Sequence, residues 1–223
     1  MALVMYDLDG TLLDTASEIT NAVNLTLEDF SCRHVDEADV RRWIGHGTGW
    51  LMEQAWAANA ANNAANKAVA WSDVMSRFMI HYGATAGTSS QFFPKVIDTL
   101  QKVKSIGIKQ AIITNKEAKF TQRIVEKYEL DQYFDMVICG DTLPFKKPHP
   151  GVIEHCIHAL ESSPGHALFI GDSEIDVATA KAAGVVCWAV PYGYNHGRPI
   201  SMADPDRLVP DISDVPNYFR GIQ

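Results

Sequence analysis

From residue 94 to residue 190 the sequence switches repeatedly between two rhythms, and that alternation constrains the fold more than anything else in the chain. Short apolar runs, Ile108 to Thr114, Phe134 to Cys139, Ala167 to Ile170 and Val185 to Val190, have the length and residue types of buried strands. Between them lie stretches with helical spacing. Pro94 opens one, with Val96, Ile97, Leu100 and Val103 on a single face; Lys116 to Glu129, a segment beginning near Pro150, and Val177 to Ala183 follow. Strands separated by helices cannot pair through tight hairpins, so the sheet is predicted to be parallel, with helices on both faces. Ala2 to Tyr6 adds a further buried strand at the start of the chain.

The first strand and the alternating region are separated by a long stretch with no strand-like run. Thr15 and Glu18 have the spacing of a capping box, and Ile19, Ala22, Val23, Thr26, Leu27 and Phe30 follow helical periodicity. The pattern stays helical from Asp36 to about His81, through the stretch AWAANAANNAANKAVA, where Ala favours helix and Asn weakens it; this stretch reads as a loose surface helix pair. A GATAGTSS linker follows. The expected organisation is an α/β core from residues 1–14 and 82–223, with an all-helical segment, 15–81, inserted after the first strand.

In a doubly wound, Rossmann-like sheet of this kind, ligands bind beyond the carboxyl ends of the strands. Four strand ends are chemically loaded: Asp7 and Asp9 after the first, Thr114 and Asn115 after the second, Lys146 and Lys147 in the loop after the third, and Asp172 and Asp176 after the fourth. Acids, a hydroxyl, an amide and an ammonium converging on one point would repel without a ligand. A hard cation such as Mg²⁺ together with a phosphate resolves the conflict, because Mg²⁺ takes carboxylate oxygens while Lys and Thr donate to phosphate oxygens. Asp7 and Asp9, one residue apart in extended chain, point the same way and can address one phosphorus. One carboxylate can attack it while the other protonates the leaving oxygen and later activates water. Gly10 allows a tight turn, and backbone N–H groups around Gly10 and Thr11 are expected to hold phosphoryl oxygens.

Each feature alone has an ordinary reading. Asp-Leu-Asp-Gly could be a turn, Thr114-Asn115 a helix cap, Lys147 a solvated loop lysine, and Ser173 or Asp172 an N-cap. A calcium loop counted from Asp7 would put Leu12 where glycine is needed, and it would follow a strand instead of a helix. His155 and His158 share a helix face without a carboxylate to complete a ligand set, and read as helix surface. The joint placement at strand ends is what favours a site.

Composition excludes several classes. With 223 residues, 47% hydrophobic and 21% charged, the chain is an ordinary globular length and mixture. A net charge of -8 argues against a general nucleic-acid or anionic-membrane binder. No apolar run of about 18 residues and no basic leader appears, which gives a cytoplasmic expectation. Cys32, Cys139, Cys156 and Cys187 are too scattered for a zinc site or disulfide framework and read as buried thiols.

The four loaded strand ends resemble, in order, the motifs of the haloacid dehalogenase superfamily of phosphatases: Asp7-Leu8-Asp9-Gly10-Thr11, Thr114, Lys147-Pro148-His149-Pro150, and Gly171 to Asp176. The resemblance covers essentially the whole chain. It implies that Asp7 is the nucleophile forming an aspartyl-phosphate and Asp9 the general acid/base. It also implies that Asp7, the Asp9 main-chain carbonyl and Asp172 bind Mg²⁺ with Asp176 supporting them, that Thr114 and Lys147 hold phosphate, and that the helical insertion is a cap. Ile44-Gly45-His46-Gly47, Tyr192-Gly193-Tyr194-Asn195 and Gly197-Arg198-Pro199-Ile200 point to the phosphoglycolate phosphatase branch and so to 2-phosphoglycolate; Glu174-Ile175 departs from that branch, which more often has an Arg-Asn pair. Arg42 and His46 are the expected contacts of a substrate carboxylate. Pyrophosphate, a sugar phosphate, and mutase chemistry stay open beside it. A phosphonate hydrolase would need a lysine in the insertion, which offers only Lys67. A phospho-Asp receiver module is the alternative from another class; the chain length and the insertion after the first strand weigh against it.

Overall fold

The computed structural model describes residues 1–59 and 69–221. Its centre is a six-stranded sheet built from β1 (Leu3–Tyr6), β4 (Lys109–Ile113), β5 (Met136–Ile138), β6 (Ala167–Gly171), β7 (Val186–Ala189) and β8 (Arg207–Leu208). The spatial order is β5-β4-β1-β6-β7-β8, and every neighbouring pair is parallel. β1 sits in the middle, with Tyr6 registered between Ile112 and Ile170.

Alternation along these strands loads both faces of the sheet, as a parallel sheet requires. Val4, Tyr6, Ile112, Leu168 and Ile170 join one apolar cluster, which includes Leu100 and Val103 of α5 (Val96–Ser105) and Ile124 of α6 (Ala118–Lys127). Leu3, Met5, Ala111, Ile113 and Phe169 join the other, with Ile153 of α7 (Gly151–Ala159) and Ala180 of α8 (Glu174–Ala182). β7 is followed by a long loop, the edge strand β8, and a terminal helix α9 (Val215–Arg220) that packs near α5. The chain pattern gives no warning of β8, which is only two residues long.

Between β1 and the rest of the sheet lie α1 (Ala16–Asp29), α2 (Glu37–Trp43), α3 (Thr48–Asn59) and α4 (Trp71–Thr85). They share a third apolar cluster, including Ile19, Val23, Val40, Leu51 and Phe78. A short antiparallel ribbon, β2 (Leu13–Asp14) against β3 (Gln91–Phe92), closes the two ends of this helical segment on each other. Sequence periodicity misses it because two residues carry no alternation. The first three residues of the expected GATAGTSS linker are the last turn of α4.

The capping box expected at Thr15 and Glu18 is not formed: α1 starts without a side-chain cap. Tertiary partners take both side chains. Thr15 Oγ1 donates to Asp9, and Glu18 Oε2 accepts from the Gly87, Ser89 and Ser90 amides and the Ser90 hydroxyl. Only the flanks of the Ala/Asn-rich stretch, Ala55 to Asn59 in α3 and Val69-Ala70, are described, so the loose helix pair expected there, like Lys67, lies outside the described residues. Cys139, Cys156 and Cys187 are buried thiols and Cys32 is half-buried. His155 and His158 are exposed on α7. Among the described residues no helix is long and apolar enough to cross a membrane.

Candidate active site

Chain order reverses across β1, and the crevice at the carboxyl ends of β1, β4 and β6 is where the charged residues gather. Asp7 follows β1 directly, its N–H still donating to the Ile170 carbonyl of β6 at 2.9 Å. Its Oδ1 accepts from the Leu8 amide at 2.7 Å and from Lys147 Nζ at 2.8 Å. Lys147 also donates to Asp176 Oδ1 at 2.7 Å. With side-chain exposure of 3%, this lysine is enclosed between two carboxylates.

Asp176 is placed by helix capping. Ser173 caps α8, and Asp176 Oδ2 takes the Ser173 hydroxyl at 2.7 Å and the Ser173 and Asp172 amides at 3.0 and 3.2 Å. That reciprocal box starts α8 at Glu174, three residues before the expected helix start. Asp172 is held from two sides, by the Thr11 hydroxyl at 2.6 Å and the Tyr194 amide at 2.5 Å. Gly10, at φ +91°, permits this approach: a Cβ there would lie 2.3 Å from Asp172 Oδ2.

Asp7, Asp172 and Asp176 bring ligand oxygens within 4.8 Å of one another, all buried. Three acids against one lysine leave an excess of negative charge in a site that water barely reaches. Burial, with Asp176 and Asp9 adding to it against the pull of Lys147, raises the Asp7 carboxyl to about 7. Burial followed by the charges of Asp176 and Asp7 raises Asp172 well above the usual carboxylate range. An all-oxygen donor set carrying surplus charge fits a hard divalent cation. Asp176, with both oxygens already engaged, is suited to support such an ion from behind.

Asp9 belongs to a different arrangement. Its Oδ1 accepts from Thr15 Oγ1 at 2.7 Å and Lys116 Nζ at 2.6 Å, and Lys116 also donates to the Tyr82 hydroxyl of α4. Lys116 is a residue the sequence reading did not single out. It immediately follows Thr114 and Asn115 at a loaded strand end, which is the signal that could have found it. Burial works against its charge, but Asp9 and then Tyr82 more than offset this and raise its pKa.

Thr114 Oγ1 accepts from the Lys116 amide at 3.2 Å and lines the same cavity as Asp7 and Asp9. The other expected phosphate contacts are partly spent elsewhere. The Gly10 N–H donates to the Leu13 carbonyl at 2.9 Å and so is not free, and the Thr11 hydroxyl serves Asp172. Asn115 Nδ2 bridges the Gly45 and Lys147 carbonyls at 3.0 Å each, making it a fastener between the helical segment and the sheet; its Oδ1 is buried with no partner among the described residues.

Arg42 and His46 do not line this cavity. Arg42 pairs with Asp39 and is half exposed, and His46 stacks on His196 with ring centroids 4.8 Å apart. The cavity wall from the helical segment is instead Ile19, Ile44, Leu51, Thr48 and Tyr82.

Residues 4–190 match the haloacid dehalogenase-like hydrolase family. The chain belongs to that family. Curated relatives agree along nearly the whole length: Phosphoglycolate phosphatase 1 of Pseudomonas aeruginosa is 38% identical over 213 residues, spanning 96% of this chain and 78% of the relative. The phosphoglycolate phosphatase of Colwellia psychrerythraea is 34% identical, spanning 91% and 90%. In three dimensions the chain is similar to a predicted phosphoglycolate phosphatase from Haemophilus somnus 129pt, with a TM-score of 0.91, 30% identity, and 98% and 97% of the two chains covered. Against this family frame, Glu174-Ile175 opens α8 without disturbing the acid cluster: the Glu174 amide donates to Asn195 Oδ1 at 2.8 Å and Ile175 is buried.

Proposed function

We propose that this family hydrolase is a Mg²⁺-dependent phosphatase of small phosphomonoesters, with 2-phosphoglycolate as the first candidate substrate and an aspartyl-phosphate on Asp7 as intermediate. The observation that carries the reading is the buried cluster of Asp7, Asp172 and Asp176 around Lys147, beside Thr114 and Asp9 at one end of the sheet. The names of the relatives supply the substrate candidate. A narrow cavity of about 50 Å³ also favours a small ester.

In this reading an Asp7 carboxylate oxygen attacks phosphorus, and the bond from phosphorus to the leaving alcohol breaks as Asp9 gives that oxygen a proton. Water then attacks the phosphorus of the acyl phosphate while Asp9 takes its proton back, and the bond to Asp7 breaks. The sum is ester plus water giving alcohol plus inorganic phosphate. Lys147 and the Thr114 hydroxyl hold the transferring oxygens. Asp7, Asp172 and the Asp9 main-chain carbonyl would hold Mg²⁺, with Asp176 behind them; when bound, the ion offsets the acid surplus and draws charge from the phosphoryl oxygens. The helical segment, 15–81 together with the last turn of α4 to Thr85, acts as a cap on the α/β core, and Ile19, Ile44 and Leu51 exclude water from the reacting groups. The setting is cytoplasmic.

Asp7→Asn tests the reading in a phosphate-release assay with Mg²⁺ across a panel of small phosphomonoesters. The expected loss is on the order of 10⁴-fold or more in kcat. Retained turnover by the variant would refute the mechanism, and failure of the wild type to release phosphate from any ester would refute the assignment.

A further inference from the structure

If the substrate is the ester of a hydroxy acid, something must recognise its second anionic group, and the two residues expected from sequence, Arg42 and His46, do not line the cavity. Among the described residues that line it, Lys116 is the one cation. Lys147 is enclosed between Asp7 and Asp176 and does not line the cavity, whereas Lys116, just as buried, lines it between Asp9 and Tyr82.

We infer that Lys116 is a specificity residue that pairs with a carboxylate on the leaving alcohol, so that the site selects phosphomonoesters of short hydroxy acids over esters of neutral alcohols. The inference rests on the phosphatase reading above. An ammonium has three N–H donors, and Asp9 and Tyr82 take two of them. The third remains for a ligand in the cavity. The neighbouring wall of Ile19, Ile44 and Leu51 suits the carbons of a short chain and offers no competing charge.

Charge balance gives the arrangement its logic. In the substrate-free protein Asp9 neutralises Lys116 at 2.6 Å. An ammonium in so dry a wall depends on the anions it can reach. A substrate carboxylate on the third N–H adds one beside Asp9, and a neutral alcohol brings none.

The experiment compares 2-phosphoglycolate with 2-hydroxyethyl phosphate, the same skeleton without the carboxylate, in Mg²⁺-saturated wild type, Lys116→Met and Lys116→Arg. The expected wild-type ratio of kcat/KM favours the acid by about 100-fold. In Lys116→Met the ratio collapses towards unity, and in Lys116→Arg it recovers at least in part. Because the methionine variant could be poorly folded, inhibition of the wild type is measured as well: glycolate should compete with 2-hydroxyethyl phosphate, and ethylene glycol should not. The inference is overturned by equal wild-type turnover of the two esters, by an unchanged ratio in Lys116→Met, by a parallel fall of both esters, or by glycolate no better than ethylene glycol. These results leave the phosphatase reading standing. Release of phosphate from neither ester by the wild type, nor from any other small phosphomonoester, would remove that reading and the inference with it.

Discussion

Two buried lysines stand in this site, each against a carboxylate from the same five-residue turn, and they are built differently. Lys147 is gripped by Asp7 at the end of β1 and by Asp176 in the first turn of α8, and its ammonium lies 5.7 Å from the centre of the Phe169 ring. Lys116 joins Asp9 to Tyr82, a residue of the helical segment. The first pair lies wholly within the sheet framework; the second spans the sheet and the helices packed on it. A charge fixed on both sides by rigid elements serves chemistry that does not vary with substrate, whereas a charge shared with the helical segment is placed to respond to what enters.

The sharpest way to break this contrast is to remove each ammonium in turn. Lys147→Met leaves Asp7 and Asp176 facing each other uncompensated, and should lower stability in urea by about 3–5 kcal/mol while reducing phosphate release from every ester. Lys116→Met should cost less, about 1–3 kcal/mol, since Asp9 keeps its Thr15 hydrogen bond and borders a cavity. Equal losses would erase the distinction drawn here.

A second effect follows from the raised carboxyls. Asp7 moves from roughly 4 in an unfolded chain to about 7 in the fold, so the folded state prefers its protonated form. The stability tied to this group is complete below the unfolded value and is lost as pH rises to about 7. Thermal denaturation of metal-free protein should therefore show Tm falling across that window, and added Mg²⁺ should raise Tm more at pH 8 than at pH 5. A metal response independent of pH would argue against the acid cluster as its site.

Smaller effects sharpen the Asp172 side. Thr11→Val removes one of its two anchors and should weaken Mg²⁺ affinity about 10–100-fold in a titration of activity against metal, as loss of a partner behind a ligand does. Tyr194→Phe, which keeps the amide on Asp172 but drops the hydroxyl that receives the Thr15 and Ala16 amides, should cost about 1–2 kcal/mol with a lesser change in kcat.

The legible and illegible parts of the molecule divide along a similar line. β1, β4, β6 and β7 are readable because their apolar runs are continuous, and the acids after β1 and β6 lie next to them in the chain. Asp7, Asp172 and Lys147 meet because parallel strands end together, a rule of topology that needs no knowledge of side-chain packing. Lys116 carries a signal only in its place after Thr114 and Asn115 at a loaded strand end; its burial depends on Tyr82, which arrives from a helix far upstream. Thr15 and Glu18 carry a local signal that loses to other partners, Asp9 six residues back for Thr15 and the distant Gly87–Ser90 turn for Glu18. Arg42 and His46 sit near the right loop in sequence, but Asp39 and His196 claim them.

Tyr194 carries a consequence of its own. Its main-chain N–H steadies Asp172, its phenol oxygen receives the opening amides of α1 and donates to Asp14, and the Arg41 guanidinium lies 5.2 Å from its ring. One residue is thus both the pivot pin of the helical lobe, through its side chain, and a strut beneath Asp172, through its backbone. Any swing of α1 that tears the pin loose also slackens the strut, so an enzyme gaping wide to admit its substrate would unsettle, in the same stroke, a carboxylate proposed to hold Mg²⁺.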